Sequence, residues 1–187
     1  TAPKDSVIYS HTANEGDSVI VAVDLNGRVH PSCILNWDSV TMKSPEEVRS
    51  QVRVLEGLGR DRLVSAGKDI SNPGVIGTLG MLLEVSGKGA SIALDRLPMP
   101  DLAAHHMTFE QWVRIYPGMG FVLTAPGQNV PEISRRFEDV GMTARMVGHV
   151  TGDRILRVVL RDDAALVFDF DKNGSMRLFS DDGSCPK

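Results

Sequence analysis

The chain of 187 residues has few cysteines, few aromatic residues and no excess of positive charge. Its two cysteines, Cys33 and Cys185, lie far apart in sequence, which excludes a disulfide framework and the paired thiols of a zinc site. Such sparse cysteine usage is typical of a reducing compartment, so we expect a cytoplasmic protein. A net charge of −4 with scattered basic residues argues against nucleic-acid binding and against an anionic membrane surface as a partner.

Long apolar runs are also missing. No stretch reaches the roughly 20 apolar residues that a membrane span requires, and no signal peptide is visible. The hydrophobic content of 42% and the charged content of 24% are ordinary for a globular protein, and the length suits one domain. The chain opens on Thr1 rather than on Met, so we expect a domain cut from a longer protein or a processed product.

Strand and helix patterns alternate through the middle of the chain. Apolar and β-branched runs predict strands at residues 19–23, 90–95, 118–127, 142–150 and 154–160, and a short strand or turn at 63–67. A last hairpin is expected around Asn173-Gly174. These patterns predict an α/β (α+β) protein with a single mixed β-sheet and helices mainly on one face. We expect a lead-in at residues 1–16, the main domain at 17–161, and a β-hairpin extension with a loose tail at 162–187.

Local signals mark the ends of three helices. Ser44, Pro45 and Glu47 form a capping box with proline in the first turn, and Thr108 with Gln111 begins a short second helix. The first helix has an apolar face and two terminating glycines: Val48, Val52 and Leu55, then Gly57 and Gly59. A third helix turns three apolar residues inward and ends at a glycine: Ile133, Phe137 and Val140, then Gly141.

The segment "KDISNPGVIGTLGMLLEVSG", from Lys68 to Gly87, carries the strongest candidate for a site. Gly74, Gly77 and Gly80 are spaced by three, which matches neither the dinucleotide fingerprint G-x-G-x-x-G nor the P-loop pattern. The segment instead predicts a helix that is capped by Asn72, has Pro73 in its first turn and runs to about Ser86.

Two interpretations of this helix start stay open. In the functional one, the free backbone N–H groups and the positive end of the helix dipole face an anion, and Gly74 lets a phosphate approach closely. Lys68 adds positive charge, and Asp69 binds a magnesium ion or orients a polar group. In the structural one, Asp69 and Asn72 only cap the helix, and Lys68 is solvated.

The rest of this predicted helix is apolar almost all the way round, with Glu84 as its single charge. Such a helix is covered on more than one side. Gly77 and Gly80 would let another backbone come close. With the sheet on one side, we expect a missing domain or a second subunit to cover the other.

Other residue patterns are weaker. Trp37 and Asp38, in the motif "NWD", are either site residues or part of ordinary loop packing. The histidines form no metal-binding pattern; His105-His106 lies in a loop. The segment beginning at Asp169 imitates a calcium loop, but Ser180 stands where a bidentate glutamate is required, so the hairpin is the better interpretation.

Three segments together resemble a known family: "AGKDISNPGVIGTLGMLLEVSGKGASIALD", "WVRIYPGMGFVLTA" and "FEDVGMTARMVGHV". From Gly16 to Leu160 the chain resembles the C-terminal domain of the AIR synthase (PurM-like) superfamily. That superfamily includes aminoimidazole ribonucleotide synthetase, formylglycinamidine ribonucleotide synthase, thiamine-monophosphate kinase, selenophosphate synthetase and the hydrogenase-maturation dehydratase. The similarity is greatest to uncharacterised AIR synthase-related proteins, including the methanogenesis-marker type.

The resemblance implies an ATP-dependent enzyme that transfers a phosphoryl group or activates an amide or carbonyl oxygen. In such enzymes an N-terminal domain forms a homodimer and supplies most ligands of ATP and Mg²⁺, and the C-terminal domain closes the cleft with a glycine-rich turn. Mapped onto this chain, that turn is Asp69 to Gly74, including Ser71 and Asn72. Many members have two adjacent glycines where this chain has Pro73-Gly74. The loss of one glycine narrows the space in which a phosphate can approach the backbone.

Two functions are therefore carried forward. In the first, the chain is one side of an ATP-dependent active-site cleft for a small-molecule substrate, inactive without the missing N-terminal domain and without tightly bound cofactor of its own. In the second, it is a non-catalytic module that binds a metabolite or a partner through a degenerate nucleotide site. The fold does not name the substrate.

Overall fold

The computed structural model describes residues 6–172 and shows a seven-stranded sheet, a three-stranded sheet and four α-helices within that range. The strands of the large sheet are β1 (Ser18–Val23), β4 (Ala66–Asp69), β5 (Gly89–Ala93), β7 (Gly120–Ala125), β8 (Thr143–Thr151), β9 (Ile155–Leu160) and β10 (Asp163–Asp169). The strands of the small sheet are β2 (Arg28–His30), β3 (Cys33–Asp38) and β6 (Tyr116–Pro117). The helices are α1 (Pro45–Arg60), α2 (Gly74–Ser86), α3 (Phe109–Arg114) and α4 (Val130–Glu138).

The large sheet has the strand order β10-β9-β5-β8-β1-β7-β4. Its neighbouring strands are antiparallel except for β5 and β9, which are parallel. The prediction of a mixed α/β fold is thus confirmed. β4 is the last strand at one edge of the sheet, where it pairs with β7, and its Gly67 N–H also donates to Tyr9 O of the N-terminal segment at 3.0 Å.

Both faces of the large sheet carry helices. Alternate residues of β1 enter two separate apolar cores: Val19, Val21 and Val23 face one, and Ile20 and Ala22 face the other. Helices α2 and α3 contribute to the first core, and α1 and α4 contribute to the second. The structure therefore refines the predicted arrangement, because helices cover both faces rather than mainly one.

Helix α1 begins as the sequence predicts and ends later. The Ser44 side chain accepts a hydrogen bond from the Glu47 N–H, and the Glu47 side chain accepts one from the Ser44 N–H, which completes the capping box. The prediction that Gly57 and Gly59 end the helix is wrong, since the helix continues to Arg60. A Cβ at Gly59 would overlap the carbonyl oxygen of Ser6, so this glycine permits a close approach of the N-terminal segment.

Helices α3 and α4 follow their local signals. The capping box of Thr108 and Gln111 is present at the start of α3. In α4, Ile133 and Phe137 are fully buried, and Gly141 follows the helix with a φ of 75°. These boundaries were predictable because the residues that fix them lie within one helical turn of the boundary.

The C-terminal part of the chain adds an edge strand. β10 pairs antiparallel with β9 through a turn at Arg161 and Asp162. The predicted hairpin at Asn173-Gly174 and the calcium-like positions that follow it lie outside the described residues. Among the helices of residues 6–172, none is long and apolar enough to cross a membrane.

A buried ion pair ties α1 to the end of β1. Asp24 is fully buried, and its carboxylate lies 2.6 Å from the Lys43 ammonium. The Gln51 amide donates to the same carboxylate oxygen at 2.7 Å, and the Asn26 N–H donates to the other at 3.0 Å. Burying an unpaired carboxylate is costly, so these three partners make the position of Asp24 possible.

Replacing Lys43 tests this interaction. We expect Lys43→Met to lower the free energy of unfolding by about 3 kcal/mol, because the carboxylate of Asp24 stays buried after its cation is removed. Urea denaturation measures the change. Arg49→Met is the matched control: its ion pair with Glu46 is exposed on both sides, so we expect a loss below about 0.5 kcal/mol. Equal losses in the two variants would contradict the assignment.

Candidate functional site

The candidate site is the connection between β4 and α2 at the edge of the large sheet. β4 ends at Asp69, which lies opposite Phe121 of β7. The next residue continues the pairing, since the Ile70 N–H donates to Gly120 O at 3.0 Å, and the Ile70 side chain is buried in the core. The chain thus leaves the sheet from an anchored position and turns at the surface.

Residues 71–74 form a tight turn. The Gly74 N–H donates to Ser71 O at 2.8 Å, and Asn72 and Pro73 are exposed at its tip. The amide of Asn72 forms no hydrogen bond to any residue from 6 to 172. The prediction that Asn72 caps the helix is wrong: α2 begins at Gly74, the preceding Pro73 occupies the cap position, and no side chain caps the helix there.

A buried hydroxyl holds the start of this turn. The Ser71 N–H donates to Oγ1 of Thr78 at 3.1 Å, and Thr78 is fully inaccessible to solvent on α2. The backbone N–H groups of Ser71 and Gly74 are therefore both used within the turn, and Pro73 has none. The turn as folded offers a ligand few free backbone donors and several side chains.

Glycines at the start of α2 make room for parts of this same chain. Gly74 has a φ of 70°, and a Cβ there would overlap the Val113 carbonyl oxygen at the end of α3. A Cβ at Gly77 would overlap the ring of Pro73, so the proline lies directly against that glycine. The expectation that Gly77 admits another backbone is thus corrected: the close backbone approach is at Gly74.

The second cover of α2 also comes from this chain. One side of the helix packs on the sheet, and α3 packs against it as well; Leu79, Leu82 and Leu83 are buried in the core that also contains Trp112 of α3. The expectation that a missing domain or second subunit must cover the helix is corrected for these residues. Val85 remains 47% exposed near the end of α2.

Lys68 and Asp69, the last two residues of β4 before the turn, also line a groove. Their side chains form an ion pair of 3.4 Å, in which the Lys68 side chain is 23% exposed and the Asp69 side chain is 71% exposed. The adjoining groove has a volume of about 470 Å³. Its polar lining includes Glu56 besides this pair, and its apolar lining comes from the N-terminal segment, α1 and β7: Val7, Ile8, Val52, Leu55, Phe121 and Leu123.

Trp37 lies away from this turn and inside the core. Its side chain is fully buried, and its indole N–H donates to Asp24 O at 3.0 Å. The ring packs edge-to-face on Trp112, with centroids 5.4 Å apart, and on His105. A side chain in this position cannot contact a ligand, so of the two interpretations of Trp37 the structure supports packing.

Asp38 shapes the loop that leads into α1. Its carboxylate accepts hydrogen bonds from the N–H groups of Val40 and Thr41 and from the Thr41 hydroxyl, and Arg28 lies 3.8 Å away. The Thr41 hydroxyl, followed by its N–H, lowers the pKa of Asp38 to about 2. All of these partners belong to the loop and the small sheet, so the structure again supports packing.

The site residues that were predicted fall into two groups. Lys68, Asp69, Ser71, Asn72 and Gly74 stay together at the sheet edge, whereas Trp37 and Asp38 are elsewhere. Sequence reasoning missed Thr78, although a threonine between apolar residues of a buried helix is a usable signal, since a buried hydroxyl needs a partner. Within residues 6–172, no three potential metal-ligating side chains come together, so Asp69 stands alone as a metal candidate.

Comparison with known proteins places the chain among relatives of about twice its length. A family model described as "AIR synthase related protein, C-terminal domain" matches residues 5–161. An uncharacterized protein of Methanocaldococcus jannaschii is 44% identical over 91% of this chain and 52% of its own length. An uncharacterized protein of Synechocystis is 32% identical over 90% of this chain and 51% of its own length. The chain thus spans about half the length of these curated relatives.

Solved structures share the fold. Phosphoribosylformylglycinamidine synthase II of Thermotoga maritima superposes with a TM-score of 0.73 at 17% identity, over 98% of this chain and 30% of that one. PurL of Thermotoga maritima, in its complex with ATP, superposes with a TM-score of 0.70 at 17% identity, over 90% of this chain and 27% of that one. The hydrogenase maturation protein HypE superposes with a TM-score of 0.63 at 11% identity, over 86% of this chain and 55% of that one.

Two variants separate backbone strain from steric overlap at Gly74. We expect Gly74→Ala to lower the free energy of unfolding by about 3 kcal/mol, since the new methyl group adds an overlap with Val113 to the cost of a positive φ. Gly141→Ala is the control: its φ is 75°, and nothing lies within 4 Å of its Cβ position. Only the backbone cost of about 1 kcal/mol applies there. Urea denaturation that ranks Gly141→Ala as the more harmful variant would refute the close approach.

The pH dependence of stability tests the contacts of Asp38. A lowered carboxyl pKa stabilises the fold above the unfolded pKa of about 3.9, and this contribution is lost as the pH falls toward 2. We expect Thr41→Val to raise the pKa of Asp38, because it removes the largest cause of the shift. Denaturation curves from pH 5 to pH 2 measure this: the variant and the wild type should differ most at pH 5 and converge at pH 2. A constant difference would contradict the assignment.

Proposed function

Because the chain belongs to the AIR synthase related family, through its C-terminal domain, we propose that it forms one side of an ATP-dependent active-site cleft. The other side lies in a domain outside this chain, which we expect to form a homodimer and to supply most ligands of ATP and Mg²⁺. The observation that carries the proposal is the turn between β4 and α2, since its tip, Asn72 and Pro73, is exposed at the edge of the sheet in the described part of the chain.

The turn presents the groups that a phosphate or its metal ion requires. The Lys68 ammonium supplies positive charge, and the exposed Asn72 amide supplies a hydrogen-bond donor at the tip. The start of α2 adds the positive end of a helix dipole. Asp69, the last residue of β4 before the turn, carries a carboxylate that suits Mg²⁺, with the remaining ligands supplied by the other domain and by the phosphates.

The groove beside Lys68 and Asp69 suits a small-molecule substrate. Ligand sites commonly measure about 300–1,000 Å³, and this groove has about 470 Å³ with mostly apolar walls. We propose that the apolar part of a substrate lies there while its polar end reaches Lys68. No residue of this chain is assigned as catalytic, because the turn holds no nucleophile with an adjacent base.

The chemistry of the whole protein follows from what such a cleft can do. ATP activates an amide or carbonyl oxygen, or donates its phosphoryl group, and the protein positions the two reactants and stabilises charge. PurL of Thermotoga maritima, which shares the fold, is known in complexes with ATP and with ADP. In this chain, Lys68 would stabilise negative charge on the transferred group.

A second function has a specific observation in its favour. The Ser71 N–H donates to Thr78 of α2, the Gly74 N–H donates to Ser71 O within the turn, and Pro73 has no N–H, so backbone contacts to a phosphate are reduced. A non-catalytic module that binds a metabolite or a partner through side chains and the groove would have such a turn. The cytoplasmic location expected from cysteine usage is common to both proposals.

Calorimetry on the full-length protein distinguishes the two functions. We expect ATP to bind the full-length protein in a Mg²⁺-dependent manner and to bind residues 1–187 alone weakly or not at all. Lys68→Met should weaken binding about tenfold, which is about 1.4 kcal/mol for the loss of one charge-assisted contact.

Lys88→Met is the matched control, because Lys88 follows the C-terminal end of α2. By the helical rise of 1.5 Å per residue, Lys88 lies about 20 Å from the start of α2. We expect this variant to bind ATP as the wild type does. A full-length protein that ignores ATP would refute the enzyme proposal and leave the binding module. Equal effects of both lysine variants would remove Lys68 from the site.

A further inference from the structure

Thr78 is a polar residue in an apolar environment. It is fully buried on α2, one turn after Gly74 and next to Leu79, and its hydroxyl is engaged by the Ser71 N–H at 3.1 Å. Valine has nearly the same shape and avoids the cost of burying a hydroxyl. The hydroxyl is therefore explained by its partner in the turn.

We propose that Thr78 is a positioning residue, which holds the turn of residues 71–74 in the form that presents Asn72 to a ligand beside Lys68 of β4. This inference rests on the proposed function of the turn. Thr78 is buried and does not touch the ligand; it acts through Ser71. Its hydroxyl draws the Ser71 N–H toward the core, and this fixes where the chain leaves β4.

One residue of the turn is unfavourable, although Ser71 and Gly74 suit its first and fourth positions. Proline is disfavoured at the third position of a common type I turn, yet Pro73 occupies that position between Asn72 and Gly74, with φ of −72° and ψ of 4°. Gly74 is conformationally permissive. Asn72, which often stabilises turns with its side chain, makes no such hydrogen bond within residues 6–172.

Two tertiary contacts add to the local preference of the turn. Thr78 fixes Ser71 at the start of the turn, and the end of α3 packs against Gly74 at its finish. Between them, only Asn72 and Pro73 project outward. The tip is thus held by tertiary contacts, and the presentation of Asn72 depends on both of them.

This arrangement also determines how a ligand is recognised. Because the Ser71 N–H donates to Thr78 and the Gly74 N–H donates to Ser71 O, an anionic group meets the ammonium of Lys68 and the amide of Asn72 rather than a nest of these backbone N–H groups. The ligand class is an anion with oxygen acceptors, such as a phosphate group. Recognition through two side chains depends more strongly on their orientation than recognition by a backbone nest.

Amide hydrogen exchange of residues 1–187 tests the restraint without any ligand. We expect Thr78→Val to accelerate exchange of the Ser71 amide at least tenfold relative to the neighbouring Ile70 amide, which donates to Gly120 in the sheet. Thr78→Ser keeps the hydroxyl and should keep the wild-type ratio. Val150→Ala, a buried substitution on β8, controls for general destabilisation and should leave the ratio unchanged. An unchanged ratio in Thr78→Val would overturn the proposal.

Nucleotide binding by the full-length protein tests the role in positioning. We expect Thr78→Val to weaken the binding of ATP with Mg²⁺ at least fivefold, Thr78→Ser to restore it, and Val150→Ala to leave it unchanged. Faster exchange of Ser71 with unaltered ATP affinity would overturn the positioning role. If the wild-type protein binds no ATP, the proposed function fails, and the exchange ratio alone then supports or overturns the restraint.

Discussion

The structure depends on the burial of β1 on both of its faces. All six residues of this strand are buried, and they alternate between two cores. A strand of this kind requires a layer of helices on each side of the sheet. It lies between β7 and β8, so β4 reaches only the outer edge beyond β7. The turn after β4 connects this edge strand to α2, and its tip at Asn72 and Pro73 is exposed, as connections between elements commonly are.

The turn combines rigidity with exposure. Its backbone contacts Thr78 at Ser71 and the end of α3 at Gly74, whereas Asn72 and Pro73 project from it and Lys68 and Asp69 precede it on β4. Binding costs less conformational entropy when the contacting groups are already held in place. Pro73 fits this arrangement because Gly77, one helical turn later, has no side chain where the proline ring packs. The proline and the glycine are therefore explained together.

The family and the fold of the chain are supported by different comparisons. The family model covers nearly the whole chain, while the solved structures share its fold at 11–17% identity. The same fold carries unrelated activities, so the activity has to be argued from the site. Within residues 6–172 the candidate site consists of one turn and one groove, without a catalytic group that the structure identifies. The chain spans about half the length of its curated relatives.

The sequence by itself determined the features that depend on neighbouring residues. The capping boxes at Ser44 and Thr108 and the glycine after α4 were predicted correctly, because their hydrogen bonds form within one turn of a helix. The mixed sheet was predicted from the alternation of strand and helix patterns along the chain. The resemblance to the family came from the segments 66–95, 112–125 and 137–150. Contacts between distant segments decided the rest. Asn72 does not cap α2, since Thr78 and Val113 fix the turn differently, and Trp37 is buried because α3 brings Trp112 against it. No local pattern contains these contacts, because they exist only after the sheet and the helices have packed.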